Sequence, residues 1–161
     1  MTDIVKALIV DEDIMSQKIL QEYLSEQMNC ETSNNYLEAK LRIQDRIAKK
    51  QNYRIVFLDI EVSNGKGLNL IKEIRQFENE YQLASENRST IIIITATDDD
   101  QTIKRAFRMG CDHYLIKPVL KESLQTAIKN AGYSRTFFLS YSLNFHKIKK
   151  DWEIVPIFNN L

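Results

Sequence analysis

Glycine, proline and cysteine are scarce in this chain, at four, two and two residues, and its formal net charge is zero. Each scarcity narrows the field. Cys30 and Cys111 stand far apart and match no metal or redox spacing. That speaks against a structural disulfide and for a reducing compartment, so a cytoplasmic location is expected. The few glycines form no nucleotide loop: Gly65-Lys66-Gly67 lacks the further glycines and placement, and reads as a turn into a helix. With 22 basic and 22 acidic residues, nothing in the charge favours nucleic acid as a partner. No apolar run approaches the length of a membrane span. The opening MTDIVKALIVDED carries Asp3 beside too short an apolar run for a signal peptide. His113 and His146 have no companions at ligand spacing, and no internal repeat or low-complexity linker is present.

What is abundant is short runs of Ile, Val and Leu. Residues 4–10, 55–58, 91–94 and 114–116 are nearly continuous in apolar character rather than alternating, which is how parallel strands covered on both faces read. A further short strand is expected around residues 30–33. Helical spacing groups Met15, Ile19, Tyr23 and Met28; Leu70, Ile71, Ile74 and Phe77; Ile103, Ala106, Phe107 and Gly110; and Leu120, Leu124, Ala127, Ile128 and Ala131. Residues 37–48 form a weaker helix, and the polar stretch 78–89 reads as a long loop. The pattern is β-α repeated five times. It predicts an α/β fold, a single doubly wound five-stranded parallel sheet with helices on both faces. This domain is expected over residues 1–132. Residues 133–161 form an aromatic-rich extension in which Leu139, Tyr141, Leu143 and Phe145 alternate with polar residues, a half-buried strand pattern. The strand either packs on its own domain or serves as an arm pairing with another chain, a homodimer being one such pairing.

In sheets of this kind ligands bind beyond the carboxyl ends of the strands. After the first run stand Asp11, Glu12 and Asp13; after the third strand, Asp59; after the fourth, Thr95; after the fifth, Lys117 and Pro118. Carboxylates this close repel by about 1 kcal/mol per pair in water and several times that near an interior. A hard divalent cation offsets this, and Mg2+ binds through one or two carboxylates plus water and phosphate. Asp13 immediately precedes a helix and reads as its N-cap. Asp98-Asp99-Asp100 reads as cap and first-turn acids at the positive end of the fourth helix.

Together Asp11-Glu12, Asp59, Thr95-Ala96 and GCDHYLIKPV, on four strand ends, resemble the receiver domain of two-component response regulators over roughly residues 4–131. The resemblance implies the flavodoxin-like strand order 2-1-3-4-5. It implies that Asp59 accepts a phosphoryl group from a phosphohistidine donor, a histidine kinase or histidine phosphotransfer domain. It also implies Mg2+ (or Mn2+) held by Glu12, Asp59 and the Glu61 backbone carbonyl, with Asp11 acting directly or through water and Lys117 pairing to Asp59. Thr95 and Tyr114 would form the switch, beside the small Ala96. Glu61 and Thr97 would tune dephosphorylation, Lys117–Pro118 would be cis, and an effector would read the face of the fourth helix, fifth strand and fifth helix. Such a protein dephosphorylates itself slowly rather than turning over substrate.

Ser63 stands where most receivers have proline, and Lys66 where an acid or amide is commoner. Two other functions compete. Phosphatases of the haloacid dehalogenase type also use an Asp nucleophile, a Thr or Ser, a Lys and Mg2+, and need an acid where Glu61 stands. They carry their extra acidic pair late in the chain, whereas Asp11-Glu12 comes first. The other is a degenerate receiver that acts by binding alone, which the intact Asp11, Glu12, Asp59, Thr95 and Lys117 set opposes. The extension is too short for a typical DNA-binding output domain, so a stand-alone receiver or the receiver part of a hybrid kinase is expected.

Overall fold

A computed structural model describes residues 5–133. The alternating segment 139–146 and the role expected of the extension lie outside the described residues. Five parallel strands, β1 (Val5–Val10), β2 (Met28–Ser33), β3 (Ile55–Leu58), β4 (Thr90–Thr95) and β5 (His113–Ile116), form one sheet in the order β2-β1-β3-β4-β5. Five helices connect and cover them: α1 (Ile14–Leu24), α2 (Tyr36–Ala48), α3 (Gly67–Glu80), α4 (Asp100–Met109) and α5 (Lys121–Ile128). The expected fold class and strand order are both present. Among the described residues no helix is long and apolar enough to cross a membrane.

Apolar runs become strands here because both sheet faces are covered. Along β1, Leu8 and Val10 enter one core with Val56, Leu58, Ile91 and Ile93, packed by Ala39 and Ile43 of α2 and Leu70, Ile71 and Ile74 of α3. Ala7 and Ile9 face the other way, into a core with Ile55, Phe57, Ile92 and Ile94 under Leu20 and Leu24 of α1 and Leu124 and Ile128 of α5. Side chains of a strand alternate faces, so a run buried on both sides must be apolar at every position.

The helix ends follow from capping chemistry. The side chains of Asp13, Asn35 and Asp99 accept backbone N–H groups of the first turns of α1, α2 and α4, with Asp100 inside the first turn of α4. At the other end of α4, Gly110 takes the left-handed C-cap conformation at φ 106°.

Two local expectations are corrected. Helix α1 does not bury Met15 and Ile19, which are exposed; it buries Gln17, Leu20 and Leu24. Gln17 is hidden because its amide donates to the carbonyls of Asp11 at 2.7 Å and Ser33 at 3.3 Å, locking α1 to the exits of β1 and β2. Met28 belongs to β2, not to the helix. The expected loop 78–89 is shorter, since α3 continues to Glu80 and a 3-10 turn covers Ser85–Asn87. Helix α3 continues because Glu78, fully buried, accepts from Arg75 at 2.8 Å and from the Ser89 N–H at 2.7 Å. Paired charge thus occupies a core position.

Candidate functional site

Strands β1 and β3 are adjacent with Val10 opposite Leu58, so the next residue of each, Asp11 and Asp59, leaves the sheet side by side. The ladder extends into them: Asp11 N–H donates to Ser33 O at 3.1 Å and Asp59 N–H to Val10 O at 2.8 Å. Across β4, the pairing of Thr95 with Ile116 brings Lys117 to the same rim, its N–H on Thr95 O at 2.8 Å. The Lys117 ammonium then reaches Asp11 Oδ2 and Asp59 Oδ2, each at 2.7 Å. Both acids are buried, at 3% and 8% exposure. Their other oxygens are fixed by main chain, Asp11 Oδ1 accepting the Asp13 N–H and Asp59 Oδ1 the Glu61 N–H, each at 2.9 Å. The peptide bond between Lys117 and Pro118 is cis.

Two buried carboxylates share one ammonium, so a negative charge is left over. Burial raises the Asp11 carboxyl above its ordinary value, against the pull of Lys117 and with the Asp59 charge adding to the rise. Burial alone would lower the Lys117 ammonium, but its bonds to Asp11 and Asp59 prevail and hold it above the usual lysine value. A hard divalent cation fits this donor set: oxygen ligands only, an uncompensated negative charge, and carboxylates already fixed by the backbone. Among the described residues no three His, Cys, Asp or Glu side chains converge as a complete metal cage. Glu12 is exposed and accepts the Ser63 N–H. The Glu61 carbonyl accepts the Gly65 N–H at 3.0 Å and keeps a second lone pair.

Around this centre lies a second layer. Thr95 is fully buried at the end of β4, and Ala96 beside it is exposed. Thr97 donates its hydroxyl to Glu61 Oε1 at 2.7 Å, joining the two positions expected to tune dephosphorylation. Tyr114 donates its phenol to the Thr97 carbonyl at 2.8 Å. Burial, helped by neighbouring negative groups, pushes that phenol up to about 12. The loop between β4 and α4 is therefore held from both sides, by Glu61 and by Tyr114.

Three features of the site carry no strong sequence signal. Gln17 reads as a surface polar residue. Gly67 reads only as a turn glycine, yet a Cβ there would lie 2.4 Å from Ile60 Cα and 2.7 Å from Asp59 O, so the start of α3 presses directly on the loop after β3. Ser63 reads only as a departure from the family pattern, yet its hydroxyl accepts the Tyr36 N–H at 2.9 Å.

A hybrid signal transduction histidine kinase K of Dictyostelium discoideum is 30% identical over 131 residues, covering 80% of this chain and 10% of that protein. The chain thus spans about a tenth of the length of that relative. Among solved structures, the complex of the histidine phosphotransfer protein Ypd1 with the receiver domain of Ssk1 from Saccharomyces cerevisiae matches with TM-score 0.68 and 25% identity, covering 83% of this chain and 94% of that one. A CheX–CheY complex with BeF3 and Mg from Borrelia burgdorferi matches with TM-score 0.68 and 22% identity, over 80% and 89% of the two chains, and supports the fold. The model of the response regulator receiver domain matches residues 7–129, the span from β1 to the end of α5 that carries every residue of the rim, and the chain belongs to that family.

Proposed function

We propose that this protein is a phosphoacceptor receiver in which Asp59 takes a phosphoryl group from a phosphohistidine. The observation that carries the reading is the Lys117 ammonium bridging Asp11 and Asp59 at 2.7 Å. An Asp59 oxygen attacks phosphorus, the N–P bond breaks, and the donor imidazole keeps the electron pair. The product is an acyl phosphate on Asp59. Lys117 moves from carboxylate to a phosphoryl oxygen, compensating charge where it develops. Asp11, Asp59 and the Glu61 carbonyl would hold Mg2+, with Glu12 joining through water. When bound, the cation neutralises negative charge on the transferring oxygens.

The new group adds about −1.5 to −2 charges. Thr95 turns its hydroxyl to a phosphoryl oxygen, and the loop after β4 follows. That movement strains the Thr97 bonds to Glu61 and Tyr114, and Tyr114 repacks toward the space vacated behind Thr95. The face of α4, β5 and α5 then presents a different surface to an effector. The donor is a histidine kinase or phosphotransfer domain, by analogy with the Ypd1–Ssk1 pair. The phosphatase reading is weaker here, because the Glu61 carboxylate it would need as an acid is bonded to Thr97.

Intact mass after incubation with a small-molecule phosphodonor and Mg2+ tests the proposal. One phosphoryl group should be gained, dependent on the cation, and Asp59→Asn should gain none. A folded protein that gains nothing would instead be an interaction module.

A further inference from the structure

Phosphoacceptor chemistry leaves the two bonds of Ser63 unexplained. Its backbone N–H donates to Glu12 Oε1, and its hydroxyl accepts the Tyr36 N–H. Ser63 thereby joins the loops that follow β1 and β3 to the first residue of α2. It does so from an unusual backbone: Ser63 and Asn64 are both left-handed, at φ 51° and 60°, and Gly65 follows at 84°. Consecutive non-glycine residues hold that conformation only where their surroundings fix it. Tyr36 is anchored in turn, its phenol donating to Glu73 of α3 at 2.7 Å.

We propose that Ser63 is a positioning residue that holds Glu12 off the cation site in the resting protein, so that cation loading breaks the Ser63–Glu12 bond and loosens the tie to α2. The inference rests on the cation-dependent phosphoacceptor reading of Asp11 and Asp59. Glu12 directly follows Asp11, so its carboxylate can serve either the rim or the Ser63 amide. An amide on the carboxylate competes with a cation, and apparent affinity is the intrinsic affinity multiplied by the fraction of molecules in which Glu12 is free. Proline at position 63 has no N–H to offer and fixes φ near −65°. Glycine there keeps both the N–H and the left-handed backbone.

The test is Mg2+ titration calorimetry on the full chain without phosphodonor, for the parent, Ser63→Pro and Ser63→Gly, with hydrogen exchange at the Ser63 amide of the parent. Ser63→Pro should bind Mg2+ about fivefold more tightly, and Ser63→Gly within about twofold of the parent. Exchange at the Ser63 amide should speed up about tenfold on Mg2+ saturation. If Mg2+ binds the parent while that amide exchanges no faster, the proposal is overturned, whether or not the proline variant folds. A folded Ser63→Pro with unchanged or weaker affinity overturns it too. A parent that binds no Mg2+ at all overturns the phosphoacceptor reading itself, which is a separate result.

Discussion

Two ionic clusters in this molecule use the same chemistry to opposite ends. In one, the guanidinium of Arg75 meets fully buried Glu78, and its remaining donors reach the carbonyls of Ser89 and Gly110, all at 2.8–3.0 Å. It also pairs with Asp112 near the surface. Each buried group there has its own partner, and the cluster fastens α3 to the entrance of β4 and the exit of α4. In the other, Asp11 and Asp59 divide one ammonium. Both set two carboxylates against one cation, but the Asp112 side chain is 44% exposed and leaves its charge to water. The buried part of the first cluster is therefore complete, while that of the second is short by one positive charge. A complete cluster stabilises the fold and leaves nothing for a ligand to do. A deficient one costs stability and draws a cation.

That contrast is breakable. The largest effect is expected from Glu78→Ala, which leaves the buried Ser89 N–H without its acceptor and takes one of two carboxylates from Arg75, and should lower unfolding free energy by about 2 kcal/mol in urea denaturation. A loss under about 1 kcal/mol would mean the cluster is incidental. The opposite sign is expected at the rim. Asp59→Asn, measured without divalent cation, should stabilise by about 1 kcal/mol, because one of two repelling buried charges disappears. Added Mg2+ should raise the melting temperature of the parent and close most of that gap; a destabilised Asp59→Asn would sink the idea of a charge deficit. The smallest effect is in pH dependence. Burial raises the Asp11 carboxyl above 3.8 in the folded state, so the folded protein holds its proton longer than the unfolded chain does. Stability should therefore fall as pH rises from about 3.8 through the raised folded value. Asp11→Asn should flatten that slope in melts taken across the acid range, while Glu78→Ala, though less stable throughout, should retain it.

The same contrast explains what the sequence made legible. Strand runs were readable because burial on both faces leaves no room for a polar residue in β3 or the middle of β4. Asp11, Asp59, Thr95 and Lys117 were readable because each is the first polar residue after such a run, and the parallel topology carries all four to one rim. Glu78 and Gln17 were not. Each is polar yet buried, and its partners, Ser89 and the carbonyls of Asp11 and Ser33, arrive from other elements. A periodicity count scores them as surface, which misplaced the buried face of α1 and ended α3 too early. The position of Glu12 was also out of reach, since it depends on an amide 51 residues away in a loop of unusual backbone.

The strand order has a consequence for how the chain is made. Strand β1 is flanked on both sides, with Val5 opposite Met28 of β2 and Ala7 opposite Ile55 of β3. Neither neighbour is joined to it by a hairpin, so every bond on β1 closes a long stretch of chain, a topology that slows folding. During synthesis β1 precedes both of its neighbours and waits for β3 with one open edge and apolar side chains on both faces. Until residue 58 has left the ribosome, one edge of this strand stays open to mispairing.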